Sequence, residues 1–78
     1  MAGVPTKTAH PLLKRIGMRL RRARQSKGLS QEALALAVGM DRSYVSGLER
    51  GEFNVSVVAL DRLARAAGVR LALLVEGE

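Results

Sequence analysis

The side chains of this 78-residue chain that are able to do chemistry are cations, hydroxyls and amides rather than nucleophiles or metal ligands. Cysteine is absent, and the single histidine, His10, lies in a stretch without apolar periodicity. That set supplies no thiolate, no disulfide framework and no multi-ligand metal centre. No pair of carboxylates falls in a plausible cleft, and there is no glycine-rich phosphate loop. Catalysis has no inventory to draw on, so the expectation is a protein that is not an enzyme and uses neither metal nor cofactor.

What the chain does concentrate is positive charge and directional hydrogen bonding. Thirteen Lys and Arg oppose seven Asp and Glu, a net charge of +6. No acid occurs between Met1 and Gln31, whereas Lys14, Arg15, Arg19, Arg21, Arg22, Arg24 and Lys27 crowd one segment. Such a block makes a positive field that attracts polyanions, of which nucleic acid is the usual one for a soluble protein. Further on, Arg42, Ser43, Tyr44, Ser46 and Arg50 follow in close succession. A guanidinium forks onto paired acceptors such as guanine O6 and N7, and a hydroxyl donates or accepts at a base edge.

Holding these groups in place takes elements, and the composition says which. Apolar residues make up 47% of the chain but aromatics only 3%, a balance that suits helices packed through Leu, Val and Ala. The length allows one core. Apolar runs are broken by Arg or Gly well short of the ~20 residues of a bilayer span. Met1–His10 lacks the apolar centre of a signal peptide, and the expectation is a cytoplasmic chain without membrane contact. Met1–His10 reads as a disordered arm, residues 11–68 as a helical domain, and 69–78 as a tail with a role of its own.

After Pro11, the apolar positions Leu13, Ile16, Leu20 and Ala23 predict a helix from Leu12 to Ser26, stopped by Gly28. Ser30 is placed to cap a second helix, Gln31–Val38, with Leu34, Ala35 and Val38 inward. Gly39 supplies a left-handed cap, Met40 plugs the corner, and Asp41 stands as the next N-cap, so the turn is very tight. A third helix follows over Arg42–Arg50. Val45 and Leu48 point inward with Glu49 near them, while Ser43, Ser46, Gly47 and Arg50 lie opposite. Ser56 caps a fourth helix, Val57–Ala67, with Leu60, Leu63, Ala64 and Ala67 on one face. In the tail, Val69, Leu71, Leu73 and Val75 alternate with Arg70, Ala72, Leu74 and Glu76, which favours a strand. A short fifth helix is the alternative, since Leu and Ala are good helix formers. A lone strand needs a partner, and the same strand of a second subunit is the nearest one.

In order and spacing these features resemble the Cro and phage-repressor family of lambda-repressor-like DNA-binding domains, from about Leu13 to Val69. The likeness is strongest in GLSQEALALAVGMDRSYVSGLERG, where Gln31, Leu34, Ala35, Gly39, Val45, Leu48, Glu49 and Gly51 match the family pattern. MDRSYVSGLERG and Asn54 are similar to the controller proteins of restriction–modification systems. The tail after Gly68 looks instead like antitoxin-type repressors that dimerise through a C-terminal strand. The resemblance implies an all-α domain of four to five helices, with Gln31–Val38 across the phosphate backbone and Arg42–Arg50 in the major groove. It also implies that Arg24 and Glu49 tie the first helix to the third, and that Gln31 adds its amide to a phosphate-directed helix N-terminus.

Arg42, Ser43, Tyr44 and Ser46 are the expected base-reading residues, and Gln31, Arg50, Asn54, Arg15, Arg19 and Arg22 the expected phosphate contacts. Val69, Leu71, Leu73 and Val75 are the expected dimer contacts. Phe53 is expected to plug the core or an interface. Gly47 departs from many relatives, which place a long polar side chain there. The implied function is a sequence-specific transcriptional regulator that binds double-stranded DNA as a homodimer on a palindromic operator. The alternative is an antitoxin whose main partner is a toxin protein and whose DNA binding is autoregulation.

Overall fold

Pro11 opens α1 (Pro11–Ser26), where its fixed φ suits a first turn whose N–H would have no partner. His10 precedes it as N-cap, and its Nδ1 accepts the Leu12 N–H at 3.0 Å. The computed structural model describes residues 10–76, so the arm expected over the first ten residues lies, His10 apart, outside the described residues. Four more helices follow: α2 (Gln31–Val38), α3 (Arg42–Glu49), α4 (Val57–Ala66) and α5 (Leu71–Val75). None among the described residues is long and apolar enough to cross a membrane.

Local chemistry sets most of the boundaries. Ser30 Oγ accepts the Ala33 N–H and Ser56 Oγ the Ala59 N–H, each at 3.0 Å, so both serines cap as their positions predict. Asp41 differs: its backbone has the extended N-cap conformation, but its carboxylate makes no capping hydrogen bond. Gly39 takes φ 71°, the left-handed conformation that lets α2 end and α3 begin with so few residues between them. Arg50 is the C-cap of α3 rather than its last residue.

The inward faces meet in one core. Ile16, Leu20 and Ala23 of α1 pack with Leu34, Ala35 and Val38 of α2, Val45 and Leu48 of α3, and Leu60, Leu63 and Ala64 of α4. Burying each of the large side chains is worth roughly 1.5–3 kcal/mol, so core packing and not helix propensity holds these eight- to ten-residue helices. α1 runs against both α3 and α5, and α2 lies between α3 and α4. Leu13, at the edge of the α1 stripe, is only half-buried.

The tail corrects the strand reading. Residues 71–75 are helical, and no strand forms among the described residues of the tail. Parity is reversed with it: Leu74, on the expected outer set, is fully buried, while Leu73 and Val75 are 48% and 43% exposed. A single extended segment would leave its N–H and C=O groups unpaired, whereas one helical turn pairs them internally and sends Leu74 into the core with Leu71 half-buried beside it. The likeness of the tail to strand-dimerising repressors therefore does not hold.

Basic side chains finish several helix ends. Lys27 Nζ donates to Ala66 O at 3.1 Å, Arg62 reaches Val38 O, and Arg19 donates to Leu73 O at 3.2 Å and also to Glu76 O. Each cation supplies donors to carbonyls that no longer have an intrahelical partner and faces the negative end of a helix dipole.

α1 and α3 lie close together at Gly17. A Cβ built there would stand 2.5 Å from the carbonyl oxygens of both Leu48 and Glu49, so only glycine lets the two backbones approach this far. Gly17→Ala should destabilise the fold by about 1–3 kcal/mol through overpacking, despite the roughly 1 kcal/mol that alanine gains in a helix. The urea denaturation midpoint measures it, and a midpoint at or above wild type would contradict the close-approach account.

Candidate nucleic-acid interface

The site begins with an ion pair at its floor. Arg24 of α1 is buried, and its Nε donates to Glu49 Oε2 at 2.7 Å while Nη2 donates to Oε1 at 3.1 Å. The two side chains are 9% and 3% exposed. Nη1 donates to Leu29 O at 2.7 Å, and the Gln31 amide donates to Glu49 Oε1 at 3.1 Å. The ion pair at the end of α3 thus gathers α1, the α1–α2 loop and the start of α2. The planar guanidinium matches it in two places at once, which a lysine would not do.

Above this floor lies an open polar basin of about 790 Å³, lined by Arg21, Ser30, Gln31, Glu32, Arg42, Ser46 and Arg50 as well as the pair itself. Arg42 stands exposed on the first turn of α3, and Arg21 reaches the basin from α1. Neither takes part in an ion pair among the described residues. The first turn of α2 borders the same basin, which Ser30, Gln31 and Glu32 line. Cations, a helix N-terminus and hydroxyls converging in a solvent-open basin form a surface suited to phosphates and base edges, not an enclosed cleft for a small substrate.

Of the expected residues, Gln31, Arg42, Ser46 and Arg50 come together here. Ser43 is exposed one position along α3. Arg19 and Arg22 do not join them: both line a separate groove of about 720 Å³ against Val69 and Leu73, and Arg19 is occupied in capping α5. Arg15 and Asn54 are exposed outside the basin. Arg21 was missed by sequence reasoning. Its signal is its place three residues before Arg24, which sets it on the same side of α1 as the ion pair.

Two further readings change. Gly47 is not an open position on the polar face of α3 but is buried, because Phe53 folds over it: a Cβ there would be 2.7 Å from Phe53 Cε1. Tyr44 is half-buried with its ring stacked on Phe53, centroids 5.0 Å apart and planes 30° from parallel. Burial pushes its hydroxyl pKa upward from the ordinary tyrosine value. Phe53 is thus the plug its position suggested, fastened to the recognition helix. Arg50 lies against Glu52, with Nε 2.6 Å from Oε2 and Nη2 3.1 Å from Oε1. This contact holds the Glu52 carboxyl below its ordinary pKa and lifts that of Arg50.

Two short helices crossing around Gly39, the second carrying the polar face, define a helix-turn-helix protein. Residues 20–74 match the helix-turn-helix family, and the chain belongs to it. The control protein C.MunI of a Mycoplasma species is 39% identical over 61 residues, which span 77% of this chain and 82% of that one. Among solved structures, the restriction–modification controller protein C.AhdI from Aeromonas hydrophila shares 52% identity at a TM-score of 0.76, covering 80% of this chain and 94% of its own. SinR, the master regulator for biofilm formation, solved in complex with DNA, is 32% identical at a TM-score of 0.73, over 78% of this chain and 98% of that one. The expected lambda-repressor-like class and controller-like recognition helix are borne out. The chain is a DNA-binding transcriptional regulator of this family.

The floor of the site predicts a separation of stability from recognition. Glu49→Ala strands a buried guanidinium and should cost about 3–5 kcal/mol. Denaturant unfolding reads the loss; a change below about 1 kcal/mol, the scale of an exposed pair, would show that the fork is not structural.

Proposed function

We propose that the chain acts in the cytoplasm as a homodimer on a palindromic operator, each copy placing the N-terminal half of α3 in the major groove. The observation that carries this reading is Arg42, exposed on the first turn of α3 at the rim of a basin it shares with Gln31 and Arg21. In this arrangement Arg42 forks onto a guanine, and Ser43 and Ser46 present hydroxyls to neighbouring base edges. Gln31, Arg21 and the first N–H groups of α2 engage phosphates, which fix register without reading sequence. The Tyr44 hydroxyl donates to the backbone beside them rather than to a base. Arg15 and Asn54 serve flanking phosphates, while Arg19 and Arg22 are left out because they line the other groove.

One α3 sees only a few base pairs, so selectivity rests on two copies with half-sites about 34–36 Å apart. Of the four expected dimer residues, Val69 and Leu71 are half-buried against the chain's own core. Leu73 and Val75, exposed on α5, are the ones that offer apolar surface to a second copy.

Enrichment from a random DNA pool, followed by anisotropy titrations, tests the reading. Arg42→Ala should cut discrimination at one position of each half-site by about 1–3 kcal/mol, roughly 5- to 150-fold. Unaltered base preferences in that variant would remove Arg42 as the reader. Leu73→Lys should leave helicity and melting unchanged but shift sedimentation from dimer to monomer at micromolar concentration. Wild-type protein that sediments as a monomer both free and on its enriched DNA would rule the dimer out.

A further inference from the structure

The contact between Arg50 and Glu52 changes what Arg50 offers to DNA. Three of its five guanidinium N–H groups are engaged: two by the Glu52 carboxylate, and one by Ser46 Oγ at 2.5 Å. The side chain is folded back along α3 over Ser46, towards the reading end of the helix. Each terminal nitrogen keeps one N–H for an outside acceptor, and the plane that carries them is held from two sides. Both partners are solvent-accessible, at 58% and 49% exposure of their side chains.

The backbone that bears the carboxylate is itself held. Phe53, the residue after Glu52, stacks on Tyr44 and fills the space over Gly47. The Glu52 N–H donates to Gly47 O at 3.0 Å. A Cβ at Gly47 would lie 3.3 Å from Glu52 Oε1, so the missing side chain also makes room for the carboxylate. The Glu52 backbone is therefore anchored to α3, and its half-exposed carboxylate stands beside the Arg50 guanidinium.

We propose that Arg50 is a base-reading residue rather than a phosphate contact, and that Glu52 is the positioning residue that sets its orientation. The proposal rests on the reading that α3 occupies the major groove. Its physical basis is the division between charge and direction. A phosphate contact is worth having for its net charge, which releases counterions, and a guanidinium neutralised by its own carboxylate gives up most of that. What the pair retains is two oriented donors, and bidentate recognition of an acceptor pair such as guanine O6 and N7 depends on orientation. Pre-ordering the long side chain also lowers the entropy lost on contact. A phosphate could take the same two N–H groups, but it would gain from them little of the charge neutralisation that makes a phosphate contact worthwhile.

The test compares Glu52→Gln and the double variant Arg50→Gln/Glu52→Gln with wild type. Each is enriched against a random DNA pool and titrated with enriched and bulk DNA across a salt series, with circular dichroism to confirm helicity. A base-reading Arg50 predicts that both variants lose preference, by about tenfold, at the same base pair of each half-site. Bulk-DNA affinity and salt slope in the double variant should stay at wild-type values. If Glu52→Gln tightens enriched and bulk DNA equally with every base preference intact, Glu52 is only a competing anion and the proposal falls. It falls equally if the double variant weakens all sequences alike and lowers the salt slope by about one, the mark of a lost phosphate contact. Selectivity lost in Arg42→Ala but kept in both Glu52 variants overturns this inference alone. A wild-type chain that enriches no sequence overturns the groove-reading proposal together with it.

Discussion

The buried fork between Arg24 and Glu49 is the contact on which the site depends. Helices as short as α2 and α3 have no independent stability, and the turn at Gly39 fixes their ends without fixing their relative tilt. The fork supplies what is missing. It joins the last turn of the basic helix to the end of the recognition helix, takes in the Leu29 carbonyl, and brings in the Gln31 amide. Because an unpaired charge is costly in a desolvated place, α1, α2 and α3 either hold this arrangement together or lose it together. Gly17 makes the same point sterically, by letting α1 lie directly on the last carbonyls of α3.

Positive charge in this chain divides into two populations with different work. Arg24, Lys27, Arg62 and Arg19 are spent on the fold, on a carboxylate or on carbonyls at helix ends. Arg21 and Arg42 stay exposed around the basin. The net charge of +6 therefore overstates what the interface itself can bring to bear, and a long-range field for polyanions coexists with a short list of contacts. Arg50 stands between the two, exposed yet already paired. The aromatic pair has a comparable place: the α3–α4 loop is fastened to the recognition helix by Phe53, so loop and helix form one surface.

Much of this was legible in one dimension. Local rules act over a few residues, so capping by Ser30 and Ser56, the left-handed Gly39 and the four inward faces could be read directly from the order of side chains. The pairing of Arg24 with Glu49 followed from likeness to a family, not from spacing. Arg21 was overlooked because charge in sequence says nothing about which side of a helix meets the neighbouring elements. Asp41 has the right type and place for a cap, yet its carboxylate makes no capping hydrogen bond.

By itself, then, the sequence determined the class of the fold, the four core helices, the tight turn and the concentration of donors on the third helix, because each of these is written in periods of three or four residues. Tertiary structure alone decided the tail and the composition of the site. Val69–Val75 carries both an alternating pattern and the Leu71–Leu74 spacing of a helix. What selects the helix is a core with space for Leu74 and an Arg19 ready to receive the carbonyls of α5, features contributed by residues some fifty positions away. The same holds for Arg50 and Gly47: their residue types suggested a phosphate contact and an empty position, and only the folded loop placed Glu52 against one and Phe53 over the other.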